Sequence, residues 1–244
     1  MEKLFCIPHA GASATVYLKW QKYFNNIKII PVEVSGRGTR FSDKREATLS
    51  SESVALCQMI EKNIEPDDTF SVFGHSMGCF MAFEVICRLI EKPYYKNRLK
   101  NVFLSGNKAP HLNDKKEHCS NVHLLSNEDF KNEILKEGAT SPEIFENKML
   151  FEVFEPILRE DYRITETYSF SEADIPKLDC GMYIMNGYDD NLEEYEIQQW
   201  ERYCADRNKF DIKYFEGGHF YMNEHLEEVA DYISEKLLNI GVNV

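Results

Sequence analysis

Ser76 sits between two glycines as Gly74-His75-Ser76-Met77-Gly78. A short β-branched and aromatic run, Thr69 to Phe73, leads into it, and Met77, Phe80, Met81, Ile86 and Leu89 follow at helical spacing. A serine hydroxyl is a poor nucleophile until it is lifted clear of its surroundings and given a base. A sharp strand-to-helix turn does the lifting and strains the backbone at Ser76. Gly74 and Gly78 remove the side chains that would collide across so tight a corner. The helix then starts beside the hydroxyl, so its free N–H groups and positive dipole end face any oxyanion formed there.

Such a nucleophile needs a base, and the base needs an orienting acid. Glu216-Gly217-Gly218-His219-Phe220 follows the last predicted strand, where the glycines let the chain turn and project an imidazole. His219 is therefore the base candidate. His75 flanks the nucleophile and points elsewhere in an elbow of this kind, while His111, His118, His123 and His225 read as packing or surface residues. For the acid, the run after Leu99 to Ser105 offers no carboxylate before Asp114. The run after Gly181 to Asn186 continues Gly187-Tyr188-Asp189-Asp190, so one of these two aspartates is the orienter. Spacing from Gly187 favours Asp190, with Asp189 its rival. The order Ser76, Asp190, His219 is that of α/β-hydrolases. The oxyanion hole takes the backbone N–H of Met77 and one from Pro8-His9-Ala10-Gly11-Ala12, assigned to Ala10.

These groups meet only if the chain alternates strands with helices. Strands are predicted at Lys3 to Ile7, Ile27 to Val34, Thr69 to Phe73, Leu99 to Ser105, Gly181 to Asn186 and Asp211 to Phe215. Pro31 marks its strand as an edge or a bulge. Helices are predicted at Thr15 to Phe24, with Tyr17, Trp20 and Phe24 on one side, at Ser51 to Asn63, after Ser76, at Glu193 to Ala205 and at Leu226 to Ile240. The expected fold is α/β, a mostly parallel sheet with helices on both faces and working groups beyond the carboxyl ends of the strands. About residues 111–171 break the alternation within a single 244-residue domain. Ser126 caps one helix that Gly138 ends, and Ser141-Pro142 starts a second. Met149, Leu150, Val153, Phe154, Ile157 and Leu158 give that second helix a broad apolar face, with a bend expected at Pro156. A helical insertion here reads as a lid over the site, the plainer alternative being a structural helical layer with no gating role.

Lysine plus arginine is 28 against 41 aspartate plus glutamate, a net charge of −13 that argues against nonspecific nucleic-acid binding. Seven cysteines form no zinc-ligand pattern and no disulfide framework, which fits a reducing compartment. No signal peptide and no membrane-length apolar run are present, so the expectation is a cytoplasmic, soluble protein; a monomer is expected, though nothing in the residues sets the oligomeric state.

With these pieces placed, the chain resembles the type II thioesterases, the stand-alone editing hydrolases of nonribosomal peptide and polyketide synthesis. Phe5-Cys6-Ile7-Pro8-His9-Ala10-Gly11 is similar to the family's opening, and Ser35-Gly36-Arg37-Gly38-Thr39-Arg40 to its Pro-Gly-Arg-Gly loop. Gly74-His75-Ser76-Met77-Gly78, Leu158-Arg159-Glu160-Asp161-Tyr162 with Glu166 and Tyr168, and Gly217-Gly218-His219-Phe220 complete the likeness. Ala12, Ser35 and Glu155 depart from it, where glycine, proline and an apolar residue are usual; no triad member is lost.

The resemblance implies hydrolysis of an acyl thioester on the 4′-phosphopantetheine arm of a carrier protein, with no metal or cofactor of the enzyme's own. Carrier domains of a synthase are then the expected partners. Arg37, Arg40, Lys44 and Arg45, with Lys115 and Lys116 at the start of the insertion, are the candidates for a positive rim that attracts the carrier or the pantetheine phosphate. The plainer alternative is a set of solvated charges among Asp43 and Glu46. Other readings of the same triad are a carboxylesterase, an acyl-CoA thioesterase and an acyl transferase. A catalytically inert carrier-binding partner is the alternative of another class.

Overall fold

Residue alternation along the strands separates two cores. In β1 (Glu2–Ile7), Leu4 and Cys6 pack to one face of the sheet, and Phe5 and Ile7 to the other. In β3 (Thr69–His75), Phe73 joins the first set, and Phe70 and Val72 the second. Both strands are buried from both sides, so they read as apolar runs rather than as alternating polar ones. The computed structural model describes residues 1–113, 121–138, 144–145, 147–170 and 177–238.

Six parallel strands lie in the order β2-β1-β3-β4-β5-β6, with β2 at Ile27–Pro31, β4 at Leu99–Ser105, β5 at Gly181–Gly187 and β6 at Phe210–Phe215. On one face lie α1 (Leu49–Lys62) and α2 (Met77–Leu89), whose Leu56, Ile60, Phe80 and Phe83 meet Val72, Leu104 and Ile184. The opposite face carries 3₁₀ turns at Ala14–Tyr23 and the C-terminal helix at Leu226–Leu238, which bring Tyr17, Trp20, Val229 and Ile233 onto Phe73 and Phe103. Thr48 starts α1 with a reciprocal capping box to Ser51.

Two predicted elements come out differently. The second strand ends at Pro31 rather than Val34, because β2 is an edge strand and proline brings no N–H to the ladder. The predicted helix at Glu193 to Ala205 is an α-helical turn, Glu194–Gln198, followed by 3₁₀ turns at Gln199–Tyr203. Its buried residues Ile197, Trp200 and Tyr203 recur every third position, which is the 3₁₀ period.

Between β4 and β5 the chain builds the insertion. Its described helices are α3 (Asn127–Glu137), capped by Ser126 and closed by Gly138, and α4 (Lys148–Glu166). They share a small core of Val122, Phe130, Ile134, Phe145 and Leu158. α4 runs through Pro156, with Ile157 and Leu158 buried. Met149, Leu150 and Val153 stand exposed, so the apolar face predicted for this helix is buried only in its later turns. The start expected at Ser141-Pro142 lies outside the described residues.

Phe73 has no exposed surface and packs its ring 5.0 Å from Trp20 and 5.7 Å from Tyr17. Phe73→Ala should cost about 3–5 kcal/mol, read as a lowered urea midpoint at unchanged m-value.

Candidate active site

Ser76 takes φ 56° and ψ −119°, a positive φ that only it and Asn121 share among the described non-glycine residues. The strain is imposed from both sides of the turn. A methyl on Gly74 would strike the carbonyl of Gly78, and one on Gly78 would strike the carbonyl oxygens of Ile7 and Pro8. Strand, helix and first loop therefore meet at a distance that only glycine allows. Ser76 N–H donates to the Ser105 carbonyl at 2.8 Å, and Asn107 Nδ2 donates to the Ser76 carbonyl at 3.1 Å. The elbow is thus tied to the end of β4.

The loops after β5 and β6 deliver the other two predicted residues. His219 Nδ1 lies 2.9 Å from Asp190 Oδ2, and since an ionised carboxylate only accepts, Nδ1 carries the proton. Asp190 Oδ1 accepts from Asn191 N–H at 2.8 Å. The Asp190 side chain keeps 5% of its exposure and that of His219 19%, so the acid is sealed and the imidazole reaches the cavity. Asp189 is exposed and ties the loop through its backbone N–H to Gly217 at 2.9 Å. Of the two rival aspartates, Asp190 is the one on the imidazole.

Ser76, His219 and Asp190 line one cavity of about 390 Å³, together with Ala10 and Met77. Its far wall comes from the insertion, through Lys136, Tyr162, Thr165 and Glu166, so the insertion does roof the site. Met77 opens α2, whose first N–H groups have no intrahelical partners. Among the described residues no group of three or more histidine, cysteine, aspartate or glutamate side chains forms a metal-binding cluster.

Three imidazoles cluster about His75, the residue before Ser76. His75 lies 4.9 Å from His219 and 5.8 Å from His9, ring centre to ring centre, and Phe220 packs on all three. His75 is buried, with Nδ1 2.9 Å from Ser105 Oγ, which is 2.7 Å from the Tyr221 hydroxyl. Burial, then the neighbouring His219 and His9, pushes the His75 pKa well below the usual histidine value. Burial, then His219 and Arg37, brings His9 down to about 4. Both rings are neutral at pH 7. His75 does point away from the cavity, yet its place against the base was not apparent from the sequence.

Of the cations expected to form a positive rim, Arg37, Arg40 and Arg45 are each engaged by groups of the protein itself, and Lys44 is exposed. Arg37 is 5% exposed and makes a two-pronged ion pair with Asp161 of α4, at 2.5 Å on each arm. Loop spacing placed it on the active-site edge, but a carboxylate from the insertion draws it inside. Arg40 is half-buried and donates to Glu52 at 2.8 Å, to Asp43 at 2.8 Å and to the Glu33 carbonyl at 3.0 Å. Arg45 braces the Pro156 carbonyl of α4 at 2.9 Å. Lys115 and Lys116 lie outside the described residues. The cations that do line the cavity are Lys108, just after β4, and Lys136, 2.8 Å from Glu133. Position two residues after Gly106, at a strand end, was the signal for Lys108.

None of the six described cysteines is in a disulfide. Cys79, in the first turn of α2, is fully buried, and burial holds its thiol well above the usual cysteine pKa. Burial likewise raises Cys6 well above it, and Cys57, Cys87 and Cys180 to about 12.

The family model described as a thioesterase domain matches residues 2–237. Thioesterase PikA5 of Streptomyces venezuelae is 28% identical, over 97% of this chain and 81% of its own. The protein called linear gramicidin dehydrogenase LgrE, of Brevibacillus parabrevis, is 29% identical over 96% and 87%. The crystal structure of ClbQ, from the colibactin NRPS/PKS pathway, superposes with a TM-score of 0.88 at 31% identity, covering 99% of this chain and 98% of that one.

The depressed histidines carry a pH signature. An unfolded chain binds a proton on His9 below its ordinary value of 6.5, and the folded chain does so only near 4. Stability contributed by the neutral ring is therefore present above 6.5 and is lost as pH falls through that window. Between those limits the parent should lose stability faster than His9→Gln, by up to about 1.4 kcal/mol per pH unit, measured by urea unfolding at each pH.

Proposed function

Because the chain belongs to the thioesterase family, we propose that it is a serine hydrolase that cleaves acyl thioesters from the 4′-phosphopantetheine arm of carrier-protein domains. Its task is to clear aberrant or stalled acyl groups from a nonribosomal peptide or polyketide synthase. The observation that carries this reading is the 2.9 Å contact of His219 with Asp190 beside the cavity that Ser76 lines. The name of PikA5 and the pathway of ClbQ support the substrate. The dehydrogenase in LgrE's name finds no support here, because β1 leads into Pro8-His9-Ala10-Gly11-Ala12 and not into a Gly-x-Gly-x-x-Gly turn.

Asp190 keeps the proton of His219 on Nδ1 and so leaves Nε2 free as the base. Ser76 Oγ attacks the thioester carbonyl carbon while Nε2 takes the hydroxyl proton. The N–H groups of Met77 and Ala10 hold the oxygen as it becomes an oxyanion. The C–S bond then breaks and the proton on His219 goes to the departing sulfur. A thiol of pKa ~8.5 needs less of this help than an alcohol does. Water, deprotonated by His219, attacks the acyl-Ser76 ester, and the carboxylic acid leaves as Ser76 recovers its proton. The reaction calls for no metal or cofactor. One chain supplies every group, so a monomer suffices, and the carrier partner places the work in the cytoplasm. No described helix is long and apolar enough to cross a membrane.

Release of free acid from acyl-loaded carrier proteins, compared with acyl-CoA and an alkyl ester, tests the reading. The carrier substrate should be preferred and Ser76→Ala should abolish release; an alkyl ester turned over faster than any carrier thioester would dismiss it. In the same assay Asp190→Asn should lower kcat by about 10⁴, whereas Asp189→Asn should stay within about threefold of the parent, since an exposed residue off the imidazole leaves the tautomer alone.

Lys108 and Lys136 are cations that line the cavity, and on this reading the pantetheine phosphate is assigned to them. Lys108→Met should raise KM for substrates carrying that phosphate and leave KM for a small phosphate-free thioester unchanged. Equal effects on the two would dismiss the contact.

A further inference from the structure

The insertion does more than roof the cavity, because one of its carboxylates holds the first loop. Asp161 lies in the later turns of α4 and is 2% exposed. Its Oδ2 accepts the Gly11 backbone N–H at 2.7 Å and Arg37 Nη1 at 2.5 Å, and its Oδ1 accepts Arg37 Nη2 at 2.5 Å. The carboxylate is thus neutralised by an arginine from the loop after β2 and spends its remaining capacity on a backbone donor. On the same side of α4, Leu158 and Phe154 close on Gly11, where an added methyl would come within 2.8 and 2.9 Å of them. Gly11 itself takes φ +76°.

The Gly11 N–H belongs to the peptide that follows Ala10. Holding that N–H fixes the plane of the Ala10–Gly11 peptide, which restrains the ψ of Ala10 and so the neighbouring His9–Ala10 peptide that carries the Ala10 N–H. Ala10 lines the cavity from this loop. We propose that Asp161 is a positioning residue that makes the oxyanion hole conditional on the seating of the insertion. With α4 seated, the Gly11 N–H is held and the Ala10 N–H faces the reacting carbonyl. With α4 lifted, Gly11 loses its acceptor and the hole keeps only the donor at Met77. The hole thereby forms where the insertion has closed over an acyl group. The inference rests on the assignment of Ala10 as a donor, but not on the identity of the carrier.

The experiment uses the full chain and a p-nitrophenyl acyl ester, which needs the oxyanion hole and no carrier. A failure of the carrier reading therefore leaves this test intact. In Asp161→Asn, kcat should fall by about 10²–10³, the loss typical of one oxyanion donor, with KM changed less than threefold. The Ki of a trifluoromethyl ketone analogue, whose adduct carries the oxyanion, should rise by the same factor. The Kd of the matching unreactive amide should stay put. A folded Asp161→Asn with kcat within threefold of the parent would overturn the proposal, as would a loss shared equally by the ketone and the amide. Amide hydrogen exchange in the parent gives the second, mutation-free measurement. The Gly11 amide should be protected, and more so once the ketone is bound. Exchange at the rate of an open loop in both states would overturn the proposal whatever the variant does.

Discussion

The approach of Gly78 to the carbonyls of Ile7 and Pro8 is the constraint from which the site follows. It brings the end of β1 and the start of α2 closer than any side chain would permit. Ser76 then has no route from β3 into α2 except through φ 56°. That same closeness puts Ala10 and Met77 on one cavity, although 67 positions separate them in the chain (77 − 10). A Gly78 substitution would therefore disturb the serine and both donor positions together. The cost of the strained serine is carried by the two glycine contacts and by the hydrogen bonds that tie the elbow to Ser105 and Asn107.

The histidine cluster answers a second problem of the proposed mechanism, which is how to place a base that becomes positive next to other imidazoles. His75 packs against His219 and His9 against His75, and a charge on either would oppose the imidazolium that the proposed mechanism forms on His219. Burial keeps them neutral. The charge that does form faces Asp190, whose two oxygens are already satisfied by His219 and by the Asn191 N–H. The field at the base is thus asymmetric: an anion on one side, uncharged rings on the other.

Much of this was readable from residue order. The apolar run Leu4-Phe5-Cys6-Ile7 announced a strand, and the glycines about Ser76 announced the elbow. Gly187 and Gly217 located the acid and base loops because sharp turns at strand ends leave a local signature. What escaped the sequence depends on long-range pairing. Arg37 looked like a surface cation in a glycine-rich loop, and only the fold brings Asp161, 124 positions later, to meet it. Asp189 and Asp190 are neighbours in sequence, so only the path of the β5 loop could tell which faces His219. Likewise Met149, Leu150 and Val153 share a helical face with Leu158, but periodicity does not say how far along a helix its covering extends.

The cysteines acquire a meaning from the reaction proposed for Ser76. A thioester can pass its acyl group to any accessible thiolate, a reversible exchange that would leave the protein acylated at the wrong atom. Cys79 lies three residues beyond the nucleophile, yet it is enclosed and held in the thiol form. Cys6, at the end of β1, is enclosed in the same way. Among the described residues, sulfur next to Ser76 is therefore packing material and not a competing acceptor, and the acyl group settles on oxygen.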